Sequence, residues 1–280
     1  MVDKNMTLPA FPKLGIIAGG GLAPKRVIDA CRAQGRDFFV LCLEGQADAD
    51  TASDAPHAWL PLGAFGKLRD LVASEKIAEV VMIGRVRRPS LGELKPDWLA
   101  IKGLAKIGFH LPGDDALLRA IGRIIEQECG VRVIGVQDIL GGVLLLEGRL
   151  GNHAPDAEAK QDIARGAEVA RALGRADVGQ SVVVQQGLVL GVEAIEGTDA
   201  LIARCKDLKR EGRGGVLVKL AKSQQDDRFD LPTIGPDTVL AAAQAGLIGI
   251  AAEADRSLVI DRDSVKQLAD EKGLFVVGIR

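Results

Sequence analysis

The sequence predicts an α/β protein, with a Rossmann-like parallel-sheet domain at the N-terminus linked to a second α/β domain with a mixed sheet. Three observations carry this expectation. In the first half, short wholly apolar runs that suit strands buried on both faces alternate with segments of helical period. Glycines stand where several of those helices should stop. In the second half, Ser181 to Val184 and Leu188 to Val192 are separated by only Gln185-Gln186-Gly187, the spacing of an antiparallel hairpin. Between the halves, LGGVLLLEGRLGNHAPDAE over 140–158 mixes Gly, Asn and Pro with a short apolar run. The expected domains are therefore 1–145 and 146–280.

The elements follow in order. Leu14 to Ala18 is the first strand, then Gly19-Gly20-Gly21, then a helix with Val27, Ile28 and Cys31 on one face that stops at Gly35. Phe38 to Leu43 is a strand, Leu68, Leu71 and Val72 mark a helix, and Val80 to Ile83 is a strand ending at Gly84. Leu117, Leu118, Ile121, Ile124 and Ile125 recur at helical spacing after Asp114, a capping residue, and Gly130 ends that helix. Val131 to Val136 completes the first sheet. Beyond the boundary, Ile163, Ala167, Ala170 and Leu173 give a helix closed by Gly174, while Asp156, Glu158 and Asp162 are expected to solvate the boundary. Helices are expected over Thr198 to Cys205 and Asp237 to Ala245, and strands over Val216 to Leu220, Leu247 to Ala251 and Leu258 to Ile260. Asp263 is expected to cap a last helix before a closing strand, Phe275 to Ile279.

Composition removes several functions. With 36 basic and 38 acidic residues, two Trp, seven Phe and no Tyr, the chain has neither the field nor the stacking surfaces for nucleic acid. Cys31, Cys42, Cys129 and Cys205 are scattered without CxxC spacing, so neither a zinc site nor a disulfide framework is expected. The N-terminus lacks the apolar core of a signal peptide, and the longest apolar stretch, Val239 to Ala252, is too short to span a bilayer. The expected location is the cytoplasm, at most resting against a membrane.

The most informative segment is Lys219 to Thr238. Lys219, Lys222, Gln225, Asp226, Arg228 and Asp230 crowd together directly after the strand-like Val216-Leu217-Val218. No apolar period runs through it. Oxygen ligands for a hard cation and fixed positive charges for phosphate oxygens stand side by side, which suits chemistry on a phosphate ester or anhydride. A solvated charged loop is the alternative.

Other candidates are less specific. Gly19-Gly20-Gly21 lies where backbone amides and a helix N-terminus attract phosphate, although Pro24 replaces the third glycine of GxGxxG. Glu44, ending the second strand, stands where a dinucleotide site places its ribose-binding acid. Gly84-Arg85-Val86-Arg87-Arg88-Pro89 brings three guanidinium groups to a strand end, as a diphosphate clamp or as a solvated basic loop. Asp114 and Asp115 are explained by capping or by ribose binding. Gly151-Asn152-His153 matches part of the metallophosphoesterase signature, but three histidines are too few for that two-metal centre, and carboxylates would favour magnesium over zinc. Trp98, Ile101, Ala105 and Gly108 share a helical face opposite Lys102 and Lys106, suiting core packing first and an acyl chain or membrane second.

Together IIAGGGLAP, GRVRRP, GDDALLRAIGRIIE, GVEAIEGTDALI and VLVKLAKSQQDDRFDLPTIGPDT resemble the LpxI family from about Leu14 to Ile279. The most specific block is K-x-x-Q-D-x-R-x-D-x-P-x-I-G-x-x-T, met by Lys222, Gln225, Asp226, Arg228, Asp230, Pro232, Ile234, Gly235 and Thr238; Ser223 stands where members often carry Pro. The resemblance implies hydrolysis of UDP-2,3-diacylglucosamine to UMP and 2,3-diacylglucosamine 1-phosphate (lipid X) in lipid A synthesis, with Mg²⁺ or Mn²⁺. It implies Asp226 and Asp230 as metal or water-orienting carboxylates, and Lys219, Lys222 and Arg228 as charge-balancing catalytic groups. Substrate contacts are expected from Gly19, Gly20, Gly21, Leu22, Gly84, Arg85, Asp114, Asp115, Gln185, Glu193, Thr198, Asp199 and Gln225, with Leu140 and Leu144 to Leu146 covering acyl chains. Peripheral contact with the inner membrane and a homodimer are further expectations. The rival functions are a nicotinamide oxidoreductase using the glycine turn and Glu44, and a non-catalytic nucleotide-sugar or lipid-binding module.

Overall fold

The computed structural model describes residues 11–87, 97, 98, 101 and 114–280, with Asp114 and Asp115 in backbone only. The chain divides into two compact units near Gly141/Gly142. The first unit is built on β1 (Leu14–Ala18), α1 (Ala23–Gln34), β2 (Phe38–Leu43), β3 (His57–Leu60), α2 (Phe65–Ser74), β4 (Glu79–Ile83), α3 (Asp114–Cys129) and β5 (Arg132–Val133). Its sheet is wholly parallel in the order β3-β2-β1-β4-β5. The residues of β1 are buried throughout, as a strand covered on both faces requires. Gly35 closes α1 in the left-handed conformation.

The second unit contains β6 (Gly148–Leu150), α4 (Ala157–Arg175), β7 (Ser181–Gln185), β8 (Leu188–Val192), α5 (Gly197–Cys205) and β9 (Val216–Lys219). It continues through β10 (Thr233–Ile234), α6 (Pro236–Gln244), β11 (Gly249–Glu253), β12 (Leu258–Val259), α7 (Arg262–Lys272) and β13 (Phe275–Ile279). Six strands form a mixed sheet, β6-β13-β11-β9-β7-β8, in which β9, β11 and β13 are parallel and the others antiparallel. One face packs on α4 through Ala159, Ile163, Ala167 and Ala170 against Val182, Val184, Val216 and Val218. The other packs on α5, α6 and α7 through Leu201, Ile202, Val239, Ala242, Val265 and Ala269. The alternation of side chains along β9 therefore sends Val216 and Val218 one way and Leu217 the other.

Several expectations change in detail. Val131 to Val136 is a two-residue strand followed by a short 3₁₀ turn at Val136–Asp138, because only Arg132 and Val133 find partners on β4. The strand β3 was not anticipated; four residues, His-Ala-Trp-Leu, give too little pattern to register. Asp156 does not simply meet solvent but caps α4, accepting from Ala159 N at 2.9 Å. Asp162 is buried, and its carboxylate takes the amides of Gln186 and Gly187, which turn the β7–β8 hairpin with positive φ at both residues. The last helix is entered through Asp261, with Asp263 in its first turn. Leu145 is 1% exposed inside the second core, so it cannot cover a ligand's chain, whereas Leu146 is 61% exposed. Trp98 is 75% exposed, against the expectation of core packing, while Ala105, Gly108, Lys102 and Lys106 lie outside the described residues. Among the described residues no helix is long and apolar enough to cross a membrane.

Candidate active site

The reversal of strand order between β1 and β4 sets the turns after those strands side by side, the position at which open α/β sheets bind ligands. Here the two turns are knitted together. Gly20 N donates to Arg85 O and Arg85 N to Gly20 O, both at 2.9 Å, and Gly19 N donates to Ile83 O at 2.8 Å. A Cβ on Gly19 would lie 2.5 Å from Arg85 O, and one on Gly84, whose φ is +103°, would lie 2.8 Å from Gly19 C. Close backbone approach accounts for both glycines without a ligand. Gly21 N donates to Asp48 Oδ2 at 2.8 Å, so a carboxylate of the chain itself already occupies that amide. Leu22 immediately precedes α1 as its N-cap and is 59% exposed, and Glu44 is exposed beyond β2. Arg87 N donates to Gln46 Oε1. The side chains of Asp114 and Asp115, and all of Arg88, lie outside the described residues.

In the second unit, the end of β9 carries the charged constellation. Lys219 is only 7% exposed; its Nζ donates to Thr198 Oγ1 at 3.1 Å and to Thr233 O at 3.2 Å. Thr198, in the first turn of α5, donates to Glu193 Oε1 at 2.7 Å and lies 3.2 Å from Ser181 Oγ. Glu193 is buried, and its second oxygen accepts from Gln180 N. A buried ammonium and a buried carboxylate are thus joined through one hydroxyl, which satisfies both charges at once. Asp199 is exposed one residue further along α5, in the helix's first turn where a negative charge is favourable.

The loop leaving β9 is braced by Gln225. Its Oε1 accepts from Lys222 N at 2.9 Å and its Nε2 donates to Asp230 Oδ2 at 3.0 Å. With the residue 7% exposed, Gln225 shapes the loop more than it meets solvent. Lys222 Nζ contacts Asp177 Oδ1 at 2.6 Å. Arg228 donates to both oxygens of Asp226, through Nε at 3.0 Å and Nη2 at 2.9 Å, and stacks over Phe229. Asp227 pairs with Arg256, and Ala221 N donates to Glu253 Oε2. Burial pushes the Asp230 carboxyl above the usual aspartate range, and nearby Glu193 adds to the rise. Lys219, Lys222 and the Gln225 amide pull the other way without cancelling it.

Not every expected residue faces this cluster. Gln185 is fully buried, with Oε1 accepting from Arg210 N and Nε2 donating to Arg210 O and Arg213 O. That use leaves no donor for a ligand, and its role is to tie down the 210–213 segment. Gly151-Asn152-His153 is pinned to α7 instead, through Asp270. Asp177, Ser181, Glu253 and Arg256 belong to the cluster but gave no sequence signal, since each is an isolated polar residue far from the motif. The cysteines behave as small hydrophobes; burial pushes the Cys129 thiol up to about 11.

Among the described residues no three His, Cys, Asp or Glu side chains converge as a metal cage. The donor set nevertheless suits magnesium, which binds through one or two carboxylates together with waters and substrate phosphates. Asp226 and Asp230 are carboxylates of the type such a site uses, Asp226 accepting from Arg228 and Asp230 from Gln225.

Comparison with known proteins places both halves. A family model described as the LpxI N-terminal domain matches residues 13–143, and one described as the LpxI C-terminal domain matches 146–277. A curated protein of Caulobacter vibrioides, UDP-2,3-diacylglucosamine pyrophosphatase LpxI, is 44% identical over 274 residues, 95% of this chain and 97% of that protein. Among solved structures, a GalE-like L-threonine dehydrogenase from Cupriavidus necator is 12% identical over 95% of each chain, with TM-score 0.28. A carboxyaminoimidazole ribonucleotide synthase from Aspergillus clavatus, complexed with ATP, is 13% identical over 71% of this chain and 44% of its own, with TM-score 0.23. Likeness at that level carries no argument.

Proposed function

Because the chain belongs to the LpxI family along both of its halves, we propose that it hydrolyses the diphosphate of UDP-2,3-diacylglucosamine, giving UMP and 2,3-diacylglucosamine 1-phosphate for lipid A synthesis. The observation that carries the chemistry is the half-buried carboxylate of Asp230, held by Gln225 in the loop that leaves β9 and within the influence of the Lys219 and Lys222 charges. A carboxylate whose affinity for protons is raised is a better acceptor from an attacking water near neutral pH than an ordinary aspartate. Asp226, held in a fixed orientation by Arg228, would align that water. Two of the three Lys219 hydrogens are engaged among the described residues, which leaves one for a phosphate oxygen. Lys219, Lys222 and Arg228 then offset the charge that builds on the diphosphate oxygens.

Metal dependence belongs to the same proposal. Asp226 would hold Mg²⁺ or Mn²⁺, with Asp230 assisting through the metal's water, and the ion when bound would polarise a phosphoryl oxygen and neutralise its charge. The oxidoreductase alternative is disfavoured by the glycine turn. Its first two glycines serve packing against Arg85 and Gln46, and the third amide is taken by Asp48. A pure binding module is disfavoured by the acids beside the bases, because a phosphate binder gains nothing from buried negative charge. The test is UMP release from UDP-2,3-diacylglucosamine with magnesium and then with chelator. Release that the chelator abolishes is expected; tight binding without UMP under any divalent metal would refute hydrolysis.

A further inference from the structure

The loop after β9 is seated on the C-terminal end of α4. A Cβ on Gly174 would lie 3.3 Å from Lys222 Cα, so the two backbones meet closely, and Gln224 Nε2 donates to Gly174 O at 3.0 Å. Just beyond, α4 ends in a Schellman turn: Val178 N donates to Leu173 O and Asp177 N to Gly174 O, both at 3.1 Å. The residue such a turn places in the left-handed conformation is ordinarily glycine. Here it is Asp177, with φ +52°.

Two local forces oppose an aspartate at this position. Positive φ costs aspartate something relative to glycine, though less than most side chains, and a negative charge faces the negative end of the helix macrodipole. Glycine or asparagine would satisfy the turn better. The compensation is not local: Asp177 Oδ1 lies 2.6 Å from Lys222 Nζ, with side chains only 13% and 12% exposed. Lys222 is in turn linked through Gln225 to Asp230, since that one amide bonds the Lys222 backbone and the Asp230 carboxylate. An ammonium on a flexible four-carbon stem, released from Asp177, would be free to close onto Asp230 and bury the carboxylate in an ion pair.

We propose that Asp177 is a positioning residue for the hydrolysis, its carboxylate holding the Lys222 ammonium in place beside Asp230 so that both groups stay available to the diphosphate and the attacking water. The inference rests on the pyrophosphatase reading above. Its test uses Asp177→Asn and Asp177→Gly in the full chain, both of which accept the left-handed backbone. If the residue were only a helix terminus, the glycine variant would match or exceed the wild type in thermal stability and in UMP release. The proposal instead expects the two readouts to separate. Turnover should fall in the order Asp, Asn, Gly, by roughly tenfold or more for glycine, while the unfolding temperature stays level or rises. Wild-type turnover by Asp177→Gly, or stability and turnover falling together, overturns the inference alone. A wild-type protein that releases no UMP overturns the underlying reading and this inference with it.

Discussion

The hydroxyl of Thr198 joins two buried charges, and replacing it tests the site at its most constrained point. Thr198→Val keeps the shape of the side chain and removes both the donor to Glu193 and the acceptor for Lys219. Each bond has one charged partner, and hydrogen bonds to charged groups contribute about 1.5–3 kcal/mol. Simple addition would give about 3–6 kcal/mol, but the bonds share one oxygen and Thr198 is half-buried, so water recovers part of the loss. A destabilisation of about 3 kcal/mol is expected, and in a protein this size it lowers the unfolding temperature by roughly 6–12 °C. Turnover should also fall, because Lys219 loses the contact that aims it; a tenfold loss corresponds to about 1.4 kcal/mol of barrier. Thr198→Ser keeps the hydroxyl and should recover most of both properties. Scanning calorimetry and UMP release, measured on the three proteins together, decide the matter. A valine variant within about 2 °C and twofold of wild type would show that the hydroxyl bridge carries no such energy.

Asp226→Ala should reduce UMP release far more than tenfold while circular dichroism and substrate binding stay near wild type; a loss under about tenfold would argue against a central role. The carboxyl of Asp230 holds its proton to higher pH than in the unfolded chain, so its contribution to stability is lost as pH rises from about 3.9 through the raised folded value. Asp230→Asn should therefore unfold at a higher temperature than wild type near neutral pH, with the gap closing on acidification, while turnover is lost. A variant less stable than wild type near neutral pH would contradict the desolvation argument. Gly84→Ala should destabilise the first unit by more than 1 kcal/mol, because its φ is +103° and the new methyl meets Gly19. Equal unfolding temperatures in calorimetry would show that the two turns have room to part.

Much of the architecture was legible in the residues because burial writes itself as a period. The short apolar runs at Leu14–Ala18 and Phe38–Leu43 suit strands covered on both sides, and the 3.6-residue recurrence from Leu117 to Ile125 suits a helix with one apolar face, as the structure has them. The block from Lys219 to Asp230 stood out for the opposite reason, as charge without a period directly after a strand. Within it, Gln225 bridges Lys222 and Asp230, and Arg228 grips Asp226. The glycine turn was legible as a turn but not as to purpose, because a glycine kept for a phosphate and one kept for a neighbouring backbone look the same in sequence. Only the packing of Gly19 against Arg85 separates them.

By itself, then, the chain's pattern of apolar and charged residues determined two α/β halves and the segment where polar chemistry gathers, since hydrophobic period and local charge are properties of neighbours along the chain. The partners of the buried charges were decided only in three dimensions. Asp177 reaches Lys222 across 45 residues, Glu253 reaches Ala221 across 32, and Glu193 reaches Lys219 through Thr198. Electrostatic pairing depends on distance in space and on exclusion of water, and neither quantity exists until the sheet has closed over its helices.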